Sequence, residues 1–172
     1  VGFVHELTWE EIKTVLDKFW KDPDNRSVLS AKGQRKSSDK ALVDGEVFFA
    51  LFLGAGGKVT IRWIDPIEIT DIITDPDDAE APMFYKREIS GKQPMYYRSY
   101  TNIDDAGADV KGMTIKATET ALVYHLALNS IGQRGNSLLL PAIDWIDQYR
   151  RFLASRIAIV RALARFAWKN KV

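Results

Sequence analysis

The sequence contains no cysteine. Disulfide frameworks, thiolate metal sites and cysteine nucleophiles are therefore excluded, and the chain fits a reducing compartment. Histidine is nearly as scarce. His5 and His125 stand far apart, and a lone His beside a strand, as in VYHLAL, is more often structural than a ligand. No apolar run reaches membrane-spanning length, because the most apolar stretch is interrupted by Arg every four or five residues. The opening VGFVHELTWEE lacks the basic and apolar regions of a signal peptide. It also lacks an initiator Met, which reads as a processed or excised piece. Three further absences define the end of the chain: glycine stops at Gly135, proline at Pro141 and acidic residues at Asp147.

What remains is the composition of a globular protein, with 172 residues, 46% hydrophobic and 27% charged. The net charge of +1 hides an asymmetry. Residues 150–172 hold seven Lys or Arg and no acid, which leaves 17 basic and 23 acidic side chains, a net of −6, on residues 1–149. An acidic body with a basic end points to a polyanion or an acidic neighbour near that end. The bland reading is a solvated basic face.

Along the chain, Thr8 reads as an N-cap with Glu10 and Glu11 in the first helical turn. Trp9, Ile12, Val15, Leu16, Phe19 and Trp20 recur at helical spacing, so one face is expected to be buried. Pro23 ends this helix, and a second helix is expected over residues 26–43. GEVFFALFL and KVTIRWI, on either side of a Gly-rich turn, read as a β-hairpin over residues 45–64. IEITDIITD, residues 67–75, carries helix and strand features at once. Residues 76–82 read as a loop, residues 83–89 and 93–100 as strands, residues 101–112 as an exposed acidic loop, and residues 113–128 as one or two more strands. Residues 129–137 form the last loop. From Ser137 a helix of about 30 residues, some 45 Å long, is expected, with Ser137 as its cap and Pro141 in or near its first turn.

Several apparent motifs dissolve on inspection. DPDDAE begins like a calcium loop, but Glu80 stands where Gly is needed and Lys86 where the bidentate Glu belongs. NIDDAGAD also lacks the terminal Glu. GAGGK resembles a phosphate loop, yet Phe52 replaces its first Gly and Val59 its Ser or Thr; it reads as a hairpin turn. No nucleophile elbow is present. The chain is therefore expected not to be an enzyme and to need no cofactor or metal.

The last helix carries more information. At 100° per residue, Arg150, Arg151, Arg161, Arg165 and Lys169 fall within about 100° of arc. Phe152, Leu153, Ile159, Val160, Leu163, Phe166 and Ala167 lie opposite, and Arg156 falls among them, needing a partner or an exit to solvent. The stripe suits phosphate backbone, which Lys and Arg grip without reading bases, or an acidic face of another subunit. The wide apolar arc favours packing against other copies.

The order of features resembles the portal proteins of tailed bacteriophages. The residues that carry the likeness are Asp44-Gly45-Glu46 leading into a hydrophobic strand pair, Asp65-Pro66, Tyr85 in an aromatic strand, His125 with Asn129, and Gly135 with Ser137 and Leu139 before a long helix. It covers roughly residues 40–165 and rests on order and spacing rather than on any single motif. The resemblance implies an α+β fold: helices flanking a β-hairpin and a small β-rich clip, ending in a long stem helix. On that mapping residues 1–65 look like part of the wing, 66–135 like the clip and 136–172 like the stem helix returning to the wing. A complete portal is longer, so the chain is similar to a central fragment. The family implies a homo-oligomeric ring, typically dodecameric, at one vertex of the virion capsid and assembled in the host cytoplasm. Double-stranded DNA passes through such a ring during packaging and ejection. Terminase, a head–tail connector and capsid or scaffold protein are its partners, with no membrane involved. Arg150, Arg151, Arg161, Arg165 and Lys169 are then the expected channel-facing or inter-subunit groups. Two rival readings are a nonspecific nucleic-acid-binding module built on the basic helix, and a hydrolase fragment using Asp75, Asp77 and Asp78 with a divalent metal.

Overall fold

The computed structural model describes residues 8–102, 107–110, 113–118 and 120–169. The chain divides into two compact units, Val1–Ser137 and Leu138–Val172. The fold is α+β, with a six-stranded mixed sheet, helices and a long C-terminal helix.

The first unit opens with α1 (Trp9–Lys21). The Glu11 carboxylate accepts both the Thr8 backbone N–H (2.8 Å) and its hydroxyl (2.9 Å), so one Glu in the first turn ties down the residue that starts the helix. The expected burial of one α1 face does not occur: none of its residues is buried, and Trp9 is 72% exposed. The single helix expected over 26–43 is two, α2 (Arg26–Leu29) and α3 (Ala31–Asp44). Ser30 is the reason. Its ψ of 159° breaks the helix, and its hydroxyl accepts the Gly33 N–H to cap the next one. α3 ends on Gly45 at φ +83°, the left-handed conformation that favours glycine.

The hairpin is β1 (Glu46–Leu53) and β2 (Val59–Ile64), paired antiparallel with Phe48 opposite Ile64. Its turn, at Ala55–Gly57, uses positive φ at Gly56 and Gly57. The ambiguous stretch 67–75 is resolved as strand: β3 (Ile69–Thr74) follows a 3-10 turn at Pro66–Glu68. β4 (Pro82–Arg87) and β5 (Met95–Ser99) follow. The acidic stretch expected to be a loop contains β6 (Gly107–Val110), paired with β7 (Met113–Lys116) in a separate two-stranded sheet; residues 103–106 and 111–112 lie outside the described residues. β8 (Ala121–Ala127) completes the main sheet, in the order β2-β1-β8-β5-β4-β3. Among the described residues only the β5–β8 pairing is parallel. This sheet draws strands from both sides of residue 65.

The main core lies on one face of the sheet, around Phe48, Ala50, Ile64, Ile69, Tyr85, Tyr97 and Val123. A second cluster joins Ile73 and Phe84 to Ile115 and Ala117. Asn25, wholly buried, links helix to sheet. Its amide nitrogen donates to Phe19 O and Val59 O (both 3.0 Å), and its oxygen accepts the Ile61 N–H at 2.9 Å. The side chain thereby acts as a short stretch of pairing partner for β2, an edge strand.

The second unit begins with a 3-10 turn at Leu140–Ala142 and continues as α4 (Ile143–Lys169), 27 residues. The helix starts later than Ser137, whose hydroxyl donates to Leu42 O at 3.4 Å. Pro141 disfavours helical geometry at Leu140 and has no N–H to give, so the regular α-pattern sets in only beyond the 3-10 turn. Among the described residues no helix is long and apolar enough to cross a membrane.

Candidate functional site

Two constellations stand out, one in each unit. In the first, the Glu46 side chain is 4% exposed at the start of β1, accepts three hydrogen bonds and makes an ion pair. Oε1 takes Arg134 Nε at 2.9 Å and Nη2 at 2.5 Å. Oε2 takes His125 Nε2 at 3.1 Å and the Gly135 N–H at 3.0 Å. Burial pushes the Glu46 carboxyl up, but the His125, Gly135 and Arg134 hydrogen bonds, with the Arg134 charge, outweigh it and hold the group below the usual carboxylate range.

Each partner is held in turn. The His125 ring stacks on Phe48 at 4.0 Å between centroids, and Tyr85 meets it edge-on at 5.8 Å. Tyr85, 1% exposed, has its phenol pushed up to about 12 by burial, partly opposed by a hydrogen bond with Ser99. Arg134 also donates to Ile69 O (2.7 Å) and Pro66 O (3.0 Å), so one guanidinium joins the last loop to β1 and to the approach to β3. Backbone fit explains the two glycines. A Cβ on Gly45 would collide with Asn136, and one on Gly135 with the Gly45 carbonyl. Leu128 N–H donates to Gly45 O, and Asn136 N–H to Leu128 O, closing the loop against the strand. Asn129, at φ +48°, turns that loop, and its carbonyl accepts Asn136 Nδ2 at 3.1 Å.

His125 is therefore a structural histidine, in the sense expected of a lone His beside a strand. His5 lies outside the described residues. Among the described residues no group of three or more His, Asp or Glu is placed to hold a metal ion. Asp75 and Asp78 instead accept the backbone N–H groups of Asp77 and Glu80 and shape their own turn. Lys58 of the GAGGK turn is bound to Asp22 and Asp24, a clip between the hairpin and the end of α1.

In the second unit, Arg150, Arg151, Arg161 and Arg165 are all exposed on α4. They are not equivalent. Arg150 and Arg151 both pair with Asp147, at 3.1 and 2.8 Å. Arg161 and Arg165 have no ion-pair partner among the described residues. Lys169 is the last residue of the helix, and its side chain lies outside the described residues. Arg156, expected to need a partner or an exit, has both: it is exposed, with its guanidinium 5.8 Å from the Phe152 ring.

Sequence reasoning marked Glu46, His125 and Gly135 only as parts of a family pattern, and missed Arg134. Its partners lie 65 to 88 residues away, with no local spacing to betray them. No protein-family model, curated protein or solved structure matches this chain.

Proposed function

We propose that the chain is a structural, non-catalytic subunit of a tailed-phage portal ring, forming part of the channel through which DNA enters and leaves the capsid. The observation that carries the reading is convergence. The positions on which the resemblance rests are scattered over 90 residues of sequence, yet Gly45, Glu46, Tyr85, His125 and Gly135 meet at one buried node.

The physical task suits the charge distribution. A conduit must hold a polyanion without gripping it, so a few cationic positions in an otherwise acidic body serve better than a uniformly basic wall. Asp147 tempers Arg150 and Arg151, and Arg161 and Arg165 remain for the duplex or a neighbouring subunit. Terminase and a head–tail connector are the partners this reading carries.

Reversing Arg161→Glu and Arg165→Glu together tests the assignment. The expected result is altered ring assembly or impaired DNA packaging, with the far-ultraviolet helix signal retained. A double variant unchanged in both would reduce the stripe to a solvated face. Arg161 and Arg165, exposed and without an ion-pair partner among the described residues, also favour a second reading, a nonspecific nucleic-acid-binding module. That alternative predicts a monomer or dimer whose DNA affinity falls steeply with salt, whereas the portal reading predicts multimers and weak binding by the isolated chain.

A further inference from the structure

Residues 129–137, which follow β8 and close the first unit, contain no buried residue. Ile131 is their one large apolar side chain, and it is 99% exposed. What holds the segment down is polar. Gln133 Nε2 donates to Ala79 O, in the turn after β3. Arg134 donates to Glu46, Ile69 O and Pro66 O. Gly135 N–H reaches Glu46 at 3.0 Å, and the Ser137 hydroxyl reaches Leu42 O of α3 at 3.4 Å. Asn136 N–H adds a backbone bond to Leu128 O at 2.9 Å. The segment thus lies as a strap across the end of α3, the start of β1 and both ends of β3.

The sheet beneath is held differently. Phe48, Ala50 and Val123 are 0% exposed, and such apolar burial is lost only when the strands come apart. Surface hydrogen bonds exchange with water at little net cost. A segment with few buried apolar contacts therefore opens at lower free energy than the core it rests on. Arg134 is 43% exposed and Glu46 only 4%, so water meets the strap side of their ion pair first. His125 and Tyr85 back Glu46 from the sheet side and stay with the core.

The seat is a backbone fit. A Cβ on Gly135 would stand 2.0 Å from Gly45 O, so the strap presses on the α3–β1 junction. Its far end is also where the first unit stops, since the division falls between Ser137 and Leu138. We propose that residues 129–137 form a releasable strap, which lifts as one piece while the sheet stays folded and turns a pinned exit from the first unit into a tether. Seated, the strap holds Ser137 at the end of α3. Lifted, it lets the chain that leads to α4 range up to about 30 Å from the end of β8. The device belongs to a single chain and does not depend on the ring reading.

Native-state hydrogen exchange in urea, below the unfolding transition, tests this on the wild-type chain. The Gly135 and Asn136 amides are both hydrogen-bonded. Their exchange should hardly change with urea, because lifting the strap exposes little surface. Ala50 and Val123 should show the steep slope of global unfolding. Gly135→Ala gives a second arm, since its Cβ leaves no room to seat the strap. That variant should keep the far-ultraviolet circular dichroism of wild type and a cooperative urea transition. Its Asn136 amide should exchange like that of a free peptide, with Val123 still protected on the order of 10³-fold or more. Equal urea slopes at Asn136 and Val123 in wild type would overturn the proposal. So would a Gly135→Ala chain in which Asn136 and Val123 lose protection together, because strap and sheet would then be one cooperative unit.

Discussion

Glu46 shows how much one buried carboxylate can organise. Its three hydrogen bonds close β1, β8 and the last loop onto each other, and Arg134 extends the link to Ile69 and Pro66. Breaking a buried pair by removing one partner costs about 3–5 kcal/mol, because the other charge loses its compensation. Glu46→Gln keeps the volume and loses the charge, and urea denaturation should place it toward the lower end of that range, since Arg134 is 43% exposed and can turn to water. The pH dependence has a definite sign. The folded carboxyl lies below its unfolded value, so its contribution is complete above the unfolded value and is lost as pH falls through the folded one. Wild type should therefore lose stability on acidification below about pH 4.5 more steeply than Glu46→Gln. Parallel profiles would mean that the node does not hold the charge. In the sequence, Asp44-Gly45-Glu46 was visible as part of a family pattern leading into a strand pair, but Arg134 was not, because its partners are set by topology.

At the scale of elements, the strongly patterned pieces were legible and the locally conflicted ones were not. Alternation and a Gly-rich turn marked β1–β2, and helical spacing marked α1 and α4. Ser30 broke a helix that composition left continuous, since a Ser that caps cannot be told from a Ser that is carried. Acidic side chains hid β6, whose pairing with β7 is not written in its own four residues. Asn25 was equally silent, sitting in a segment that read only as a helix stop. Replacing it, Asn25→Ala, strips partners from Phe19 O, Val59 O and Ile61 N–H at once. Unsatisfied buried groups cost about 1–3 kcal/mol each, so chemical denaturation should show a loss of roughly 3 kcal/mol or more. With β2 unguarded at the sheet edge, the variant should also scatter light sooner on heating. A loss under about 1 kcal/mol would show that water replaces the amide without penalty.

At the scale of the whole molecule, the α+β class and the long terminal helix followed from the sequence, while the mixed strand order, with β8 inserted between β1 and β5, did not. Strand order depends on which apolar faces find each other, and periodicity gives only the faces. The same scale holds two open apolar faces: an α1 without buried residues and an α4 whose apolar arc lies opposite its cationic stripe. Apolar faces of that extent belong to interfaces. Negative-stain imaging of the purified chain tests this most directly. The account predicts closed rings with a central opening; a field of uniform particles of monomer size, with no ring at any concentration, would contradict it.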